Sequence, residues 1–174
     1  MFRPAALRLA LALLIASTAG AFVVAPALAQ FRGGYAFIQA VENRDGDKAT
    51  SALKGDPTLV NTRHPDNGET ALAIVTKRRD TSWLRFLLSK DANPSIADRQ
   101  GQTPLMHAAL IDYAEGAELL LDDKAPIDQT NRRGETALIL AVQNKNVATV
   151  RLLVRRGANP DKAEQARAKP QLMG

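Results

Sequence analysis

Gly101-Gln102-Thr103-Pro104-Leu105 decides how this chain is read, because its pattern recurs on both sides. Gly68-Glu69-Thr70-Ala71-Leu72 begins 33 residues earlier, and Gly134-Glu135-Thr136-Ala137-Leu138 begins 33 residues later. Two further features keep that phase. One is the apolar triplet Phe86-Leu87-Leu88, Leu119-Leu120-Leu121 and Leu152-Leu153-Val154. The other is Asp91-Ala92-Asn93-Pro94, Lys124-Ala125-Pro126-Ile127 and Gly157-Ala158-Asn159-Pro160. Three features on one period define a tandem repeat, whose units bury their apolar faces against one another.

Each position has a physical reason. Thr70, Thr103 and Thr136 suit helix N-caps, since a hydroxyl can accept from an orphan backbone N–H. Pro104 follows at the first helical position, where its missing donor costs nothing. The glycines before them suit a tight turn with positive φ. Leu72, Val75 and Thr76 make one face of a short first helix, repeated by Leu105, Ala108 and Ala109 and by Leu138, Ala141 and Val142. Second helices are expected over roughly 80–90, 113–123 and 146–156. Gly157 fits a left-handed C-cap, and in that conformation Asp91 and Lys124 would each cost about 1 kcal/mol relative to Gly.

These residues resemble the ankyrin repeat, over roughly residues 35–164. The resemblance implies an all-α ankyrin-repeat solenoid of about four helix-turn-helix repeats joined by β-hairpin-like loops. The repeats would be a capping unit at 35–65, then 66–98, 99–131 and 132–164. Ala71 and Ala137 depart from the family's proline, Ala73, Met106 and Ile139 from its histidine, and Asp91 and Lys124 from its glycine. The first unit reads as a helix from Tyr35 to Val41 and a second from Asp47 to Lys54. It lacks the T-P-L entry, as terminal repeats often do.

The resemblance also implies a non-enzymatic protein–protein interaction module that uses hairpin tips and first helices. Carried over by phase, the contact positions fall in three sets. They are Asp66, Asn67, Glu69 and Ile74; Arg99, Gln100, Gln102 and His107; and Arg132, Arg133, Glu135 and Leu140. The face turns from acidic near 66–69 to basic at 99, 132 and 133, so a partner protein with an acidic patch is expected. An inhibitor, immunity-type or stress-protective accessory of an envelope enzyme is the other reading of the same surface.

Outside the repeats, residues 1–29 read as a cleavable secretory signal peptide. Arg3 and Arg8 precede an apolar run from Leu9 to Ala16, and Ala27-Leu28-Ala29 offers small residues before Gln30. The expected address is a bacterial periplasm or the exterior. Residues 30–34 read as a short linker and 165–174 as a flexible tail, with one more short helix expected over Ala163–Ala168. No transmembrane segment is expected after cleavage.

Composition narrows the chemistry. The chain has 174 residues, 45% hydrophobic and 24% charged, as in an ordinary folded domain. It has no Cys, which excludes disulfides, thiol catalysis and Cys-ligated metal. With only His64 and His107, no metal or other cofactor is expected. His107 lies five residues before Asp112, but no nucleophile stands beside the pair, and no nucleotide-binding or hydrolase motif occurs. The net charge of +5 sits unevenly, with seven Lys or Arg against two acids in residues 145–174. Lys77-Arg78-Arg79 reads as a solvated turn, and without a wider basic stripe and stacking aromatics no nucleic-acid partner is expected. A monomer is expected.

Overall fold

The computed structural model describes residues 24–162. The leader expected over 1–29 lies outside them except for 24–29; the short helix at 163–168 and the tail at 165–174 lie outside altogether. The chain divides into two units, 1–32 and 33–174. In the first, the described residues are helical. The second holds the repeats.

Helix α1 runs Val24–Glu42 and α2 runs Gly46–Gly55, followed by a 3-10 helix at Pro57–Asn61. Three helix pairs follow: α3 (Ala71–Lys77) with α4 (Thr81–Leu88), α5 (Pro104–Leu110) with α6 (Ala114–Asp122), and α7 (Ala137–Gln143) with α8 (Val147–Arg155). First helices stack on first helices, α3 on α5 on α7, and second helices on second, α4 on α6 on α8. The described residues contain no strand, only an antiparallel bridge between Arg63 and Thr70. The all-α repeat stack is therefore as expected.

One boundary differs. Residues 30–34, expected as a linker, are helical within α1. Pro26 falls in the first turn, where proline is tolerated. Gly33 and Gly34 do not break the helix because a close approach needs them: a Cβ on Gly34 would lie 2.6 Å from the Thr62 side chain.

The caps form as the sequence predicts. Thr70, Thr103 and Thr136 accept from the backbone N–H of Ala73, Met106 and Ile139 at 3.4, 3.3 and 3.4 Å. Asp45 and Asp80 cap α2 and α4 in the same way. The core is one continuous cluster. It runs from Phe37, Ile38 and Val41 through Leu72, Leu84 and Leu87 and through Leu105, Met106 and Leu120 to Leu140 and Leu153. Small residues at Ala108, Ala109 and Ala141 are fully buried and let neighbouring repeats approach. Tyr113 is buried too, its hydroxyl 2.6 Å from Thr81 Oγ1 and the Arg79 guanidinium over its ring. Trp83 is half-buried, edge-on to Phe86.

Besides the hairpin glycines, left-handed backbone follows both helices of a repeat. Asp91, Lys124 and Gly157 end the second helices with φ of 60°, 64° and 86°. Arg44, Arg79, Asp112 and Lys145 end the first helices with φ between 51° and 59°. Only the first of these series was visible in the sequence, because glycine marks it once at Gly157.

The Lys77-Arg78-Arg79 run is a set of ties, and the solvated turn expected there is corrected. The Arg78 guanidinium donates to Val41 O and Glu42 O, the carbonyl end of α1. Arg79 donates forward to Ile111 O and Asp112 O, the carbonyl end of α5. Such carbonyls have no partner within their own helix, and a cation beside them also complements the helix dipole. Lys77 turns to Glu69 at 2.6 Å.

Candidate functional site: the hairpin tips

Each repeat enters its first helix through a tight hairpin. The N–H of His64, Asp98 and Asn131 donates to the carbonyl of Glu69, Gln102 and Glu135 at 2.7, 2.9 and 2.9 Å. An Asn or Asp side chain organises each turn from within. Asn67 Oδ1 accepts from Glu69 N; Asp98 Oδ1 accepts from Gln100 N and Gln102 N; Asn131 Oδ1 accepts from Arg133 N and Glu135 N. Backbone bonds then join tip to tip, Arg99 N to Asn67 O and Arg132 N to Gln100 O. Glycine at 68 and 101 is needed on two counts. Both have positive φ, and a Cβ on Gly101 would stand 2.8 Å from Arg132 N.

The result is a rigid row of tips. Between the second and third lies a groove of about 330 Å³ lined by Arg99, Gln100, Gln102, Asn131, Arg132 and Arg133. Five of these six are sequence-predicted positions, and Asn131 is the addition. The three guanidiniums differ. Arg99 donates to Pro65 O and Asp66 O of the preceding tip. Arg133 pairs with Glu135 at 2.8 Å. Arg132 makes no side-chain hydrogen bond or ion pair among the described residues. The Asn131 amide and the Arg133 guanidinium beside Glu135 hold its carboxyl below the usual carboxylate range, the Asn131 bond contributing most.

The predicted positions are not equally accessible. Asp66, Asn67, Arg99, Gln100, Arg132 and Arg133 are exposed, and Gln102 and Glu135 partly so. Leu140, at 1% exposure, belongs to the core, and Ile74, His107 and Glu69 are buried. Placing those four on a contact face is corrected here. The first helices lie side by side, so positions pointing along the stack are covered by neighbouring helices.

Two of them, His107 and Glu69, have another role. His107 Nε2 lies 3.1 Å from Asp98 Oδ2, and Glu69 holds Lys77. Burial pushes the His107 imidazole below its ordinary value, with Asp98 and Glu69 opposing and Lys77 adding to the shift. Ligand atoms of Glu69, Asp98 and His107 lie within 4.8 Å of one another, a spacing that could hold a cation. Here Lys77 already brings the positive charge, and Nε2 is engaged by Asp98. This grouping escaped sequence reading because its members come from two repeats. Asp112, weighed with His107, is elsewhere: its Oδ1 accepts from Thr149 N and Oγ1 at 3.0 and 2.9 Å.

No helix among the described residues is long and apolar enough to cross a membrane.

Comparison with known proteins agrees with this architecture. The family profile described as "Ankyrin repeats (3 copies)" matches residues 37–131 and 100–165. A putative ankyrin repeat protein of fowlpox virus is 41% identical over 91 residues, which is 51% of this chain and 27% of that protein. A putative ankyrin repeat protein of Rickettsia bellii is 38% identical over 101 residues, 55% of this chain and 29% of that one. Zebrafish inversin is 39% identical over 80 residues, 46% of this chain and 8% of inversin. The chain thus spans less than a third of the length of these relatives. With the 33-residue register, the capped helix pairs and the stacked tips in place, the profile match settles the family: the chain belongs to the ankyrin-repeat family.

Proposed function

We propose that this chain is a non-catalytic protein-binding module of the bacterial envelope, and that its exposed tips engage an acidic patch on a partner protein. The groove lined by Arg99, Arg132 and Arg133 carries the reading. Three guanidiniums converge there on a backbone fixed tip to tip, so little ordering entropy is lost on binding. Arg132 is the cation left to form new charge-assisted bonds, and guanidinium recognises carboxylates in bidentate fashion. The envelope address rests on the leader pattern of residues 1–29. The test is co-purification from envelope extract with the full chain and with R99A/R132A/R133A. The proposal expects one partner to be depleted about tenfold or more in the variant. Equal recovery would sink the groove. Mass spectrometry of the protein from its host should find Gln30 as the first residue; a chain still starting at Met1 would refute the leader.

A further inference from the structure

The repeat at 132–164 presents a face that its two predecessors keep covered. Val142, Val147 and Val154 are 56%, 58% and 58% exposed, and with Tyr35 they are the exposed large hydrophobics among the described residues. One and two periods back from Val142 stand Ala109 and Thr76, both 0% exposed. Ile139 and Val150 are half-buried, whereas their counterparts Met106 and Ala73, and Ala117 and Leu84, are at 1% or less. In the two preceding repeats these positions receive the following helix pair. A repeat face that met only water would carry polar residues here.

A second series points to the chemistry of what belongs on this face. Arg44, Arg79, Asp112 and Lys145 occupy one left-handed position, and the first three each reach forward to the next repeat. Arg44 pairs with Asp80 at 2.9 Å, the N-cap of the following second helix. Arg79 donates to Ile111 O and Asp112 O, and Asp112 accepts from Thr149. Lys145 makes no such bond among the described residues. Exposed Arg151 and Arg155 add positive charge beside the valines. An apolar patch ringed by cations fits an apolar surface carrying carboxylates.

We infer that the α7–α8 face is a docking surface for a helical hairpin of a partner polypeptide, with a carboxylate at the turn between its helices to meet Lys145. A second copy of this chain fits less well. Its first repeat offers Gln39, Glu42, Asn43, Asp47, Lys48 and Ser51 on exposed positions, a polar surface against an apolar one.

The probe is a fluorescein-labelled peptide of residues 66–98, the hairpin whose Asp80 already meets Arg44. Titration with the full chain should give saturable anisotropy. Affinity should fall about tenfold with V142S/V154S and with K145E. Replacing Asp80 by Asn in the probe should weaken its binding to the native chain, and K145E should then cost the substituted probe less than it costs the original. A lone hairpin has little core of its own, so the same 33 residues are also appended in register after Glu164. The melting midpoint should then rise, and the rise should vanish in V142S/V154S. No binding together with no rise overturns the inference, as does binding that the variants leave unchanged. Light scattering that shows a dimer lost in V142S/V154S would assign the face to a second copy. Tighter probe binding after L172S/M173S would assign it to the chain's own last residues. Either outcome also overturns the inference.

Discussion

His107 shows how one residue can look functional in sequence and be structural in the fold. It stands in a T-P-L entry where a groove-facing histidine is expected, yet its ring is buried against Asp98. Its lowered pKa has a consequence for stability. The unfolded chain takes up a proton near the ordinary histidine value while the folded chain resists it. Stability is therefore present above about pH 6.5 and lost as pH falls below it. Melting midpoints at pH 7.5 and 5.5 should differ for the native chain, and the difference should shrink in H107Q; an unchanged difference would contradict this. Glu135, whose carboxyl is lowered, adds a separate loss at more acidic pH, again as pH falls. Sequence reading found His107 but not its partners. Thr103, Thr136 and Gly101 were fully legible, because capping and positive φ are local demands.

At the level of elements, the helix pairs were legible and their ends less so. Period and caps located α3 to α8 to within a residue or two. The 3-10 helix at Pro57–Asn61 and the helical state of 30–34 were not legible, since packing against Thr62 keeps α1 intact through Gly33 and Gly34. Nor was the second left-handed series, where Arg44, Arg79, Asp112 and Lys145 carry no glycine to mark it. The strained C-caps give a direct test. D91G and K124G should each stabilise the chain by about 0.5–1 kcal/mol, read from denaturant midpoints at constant m-value. G101A should do the opposite by more than about 1 kcal/mol, because it adds a clash with Arg132 N to an unfavourable φ. In the core between repeats, L153A should cost about 2–5 kcal/mol.

For the molecule as a stack, stability comes from neighbour contacts and recognition from what those contacts leave outside. The tip row was legible as a phase, and Arg99, Arg132 and Arg133 do line one groove. Which first-helix positions stay open was not legible, because exposure depends on what packs against each: Ile74, His107 and Leu140 share one phase, and all three are buried. The ties made by Arg78 and Arg79 likewise appear only when two repeats stand together. On the proposed reading, the hairpin groove and not the second-helix side meets the partner. A photo-crosslinking amino acid at Gln100 and, in a second chain, at the exposed Ser89 tests it most directly in intact cells. Position 100 should capture one discrete protein, with capture lost on adding R132A/R133A, while position 89 should capture none. The same product from both positions, or from position 89 alone, would contradict the account.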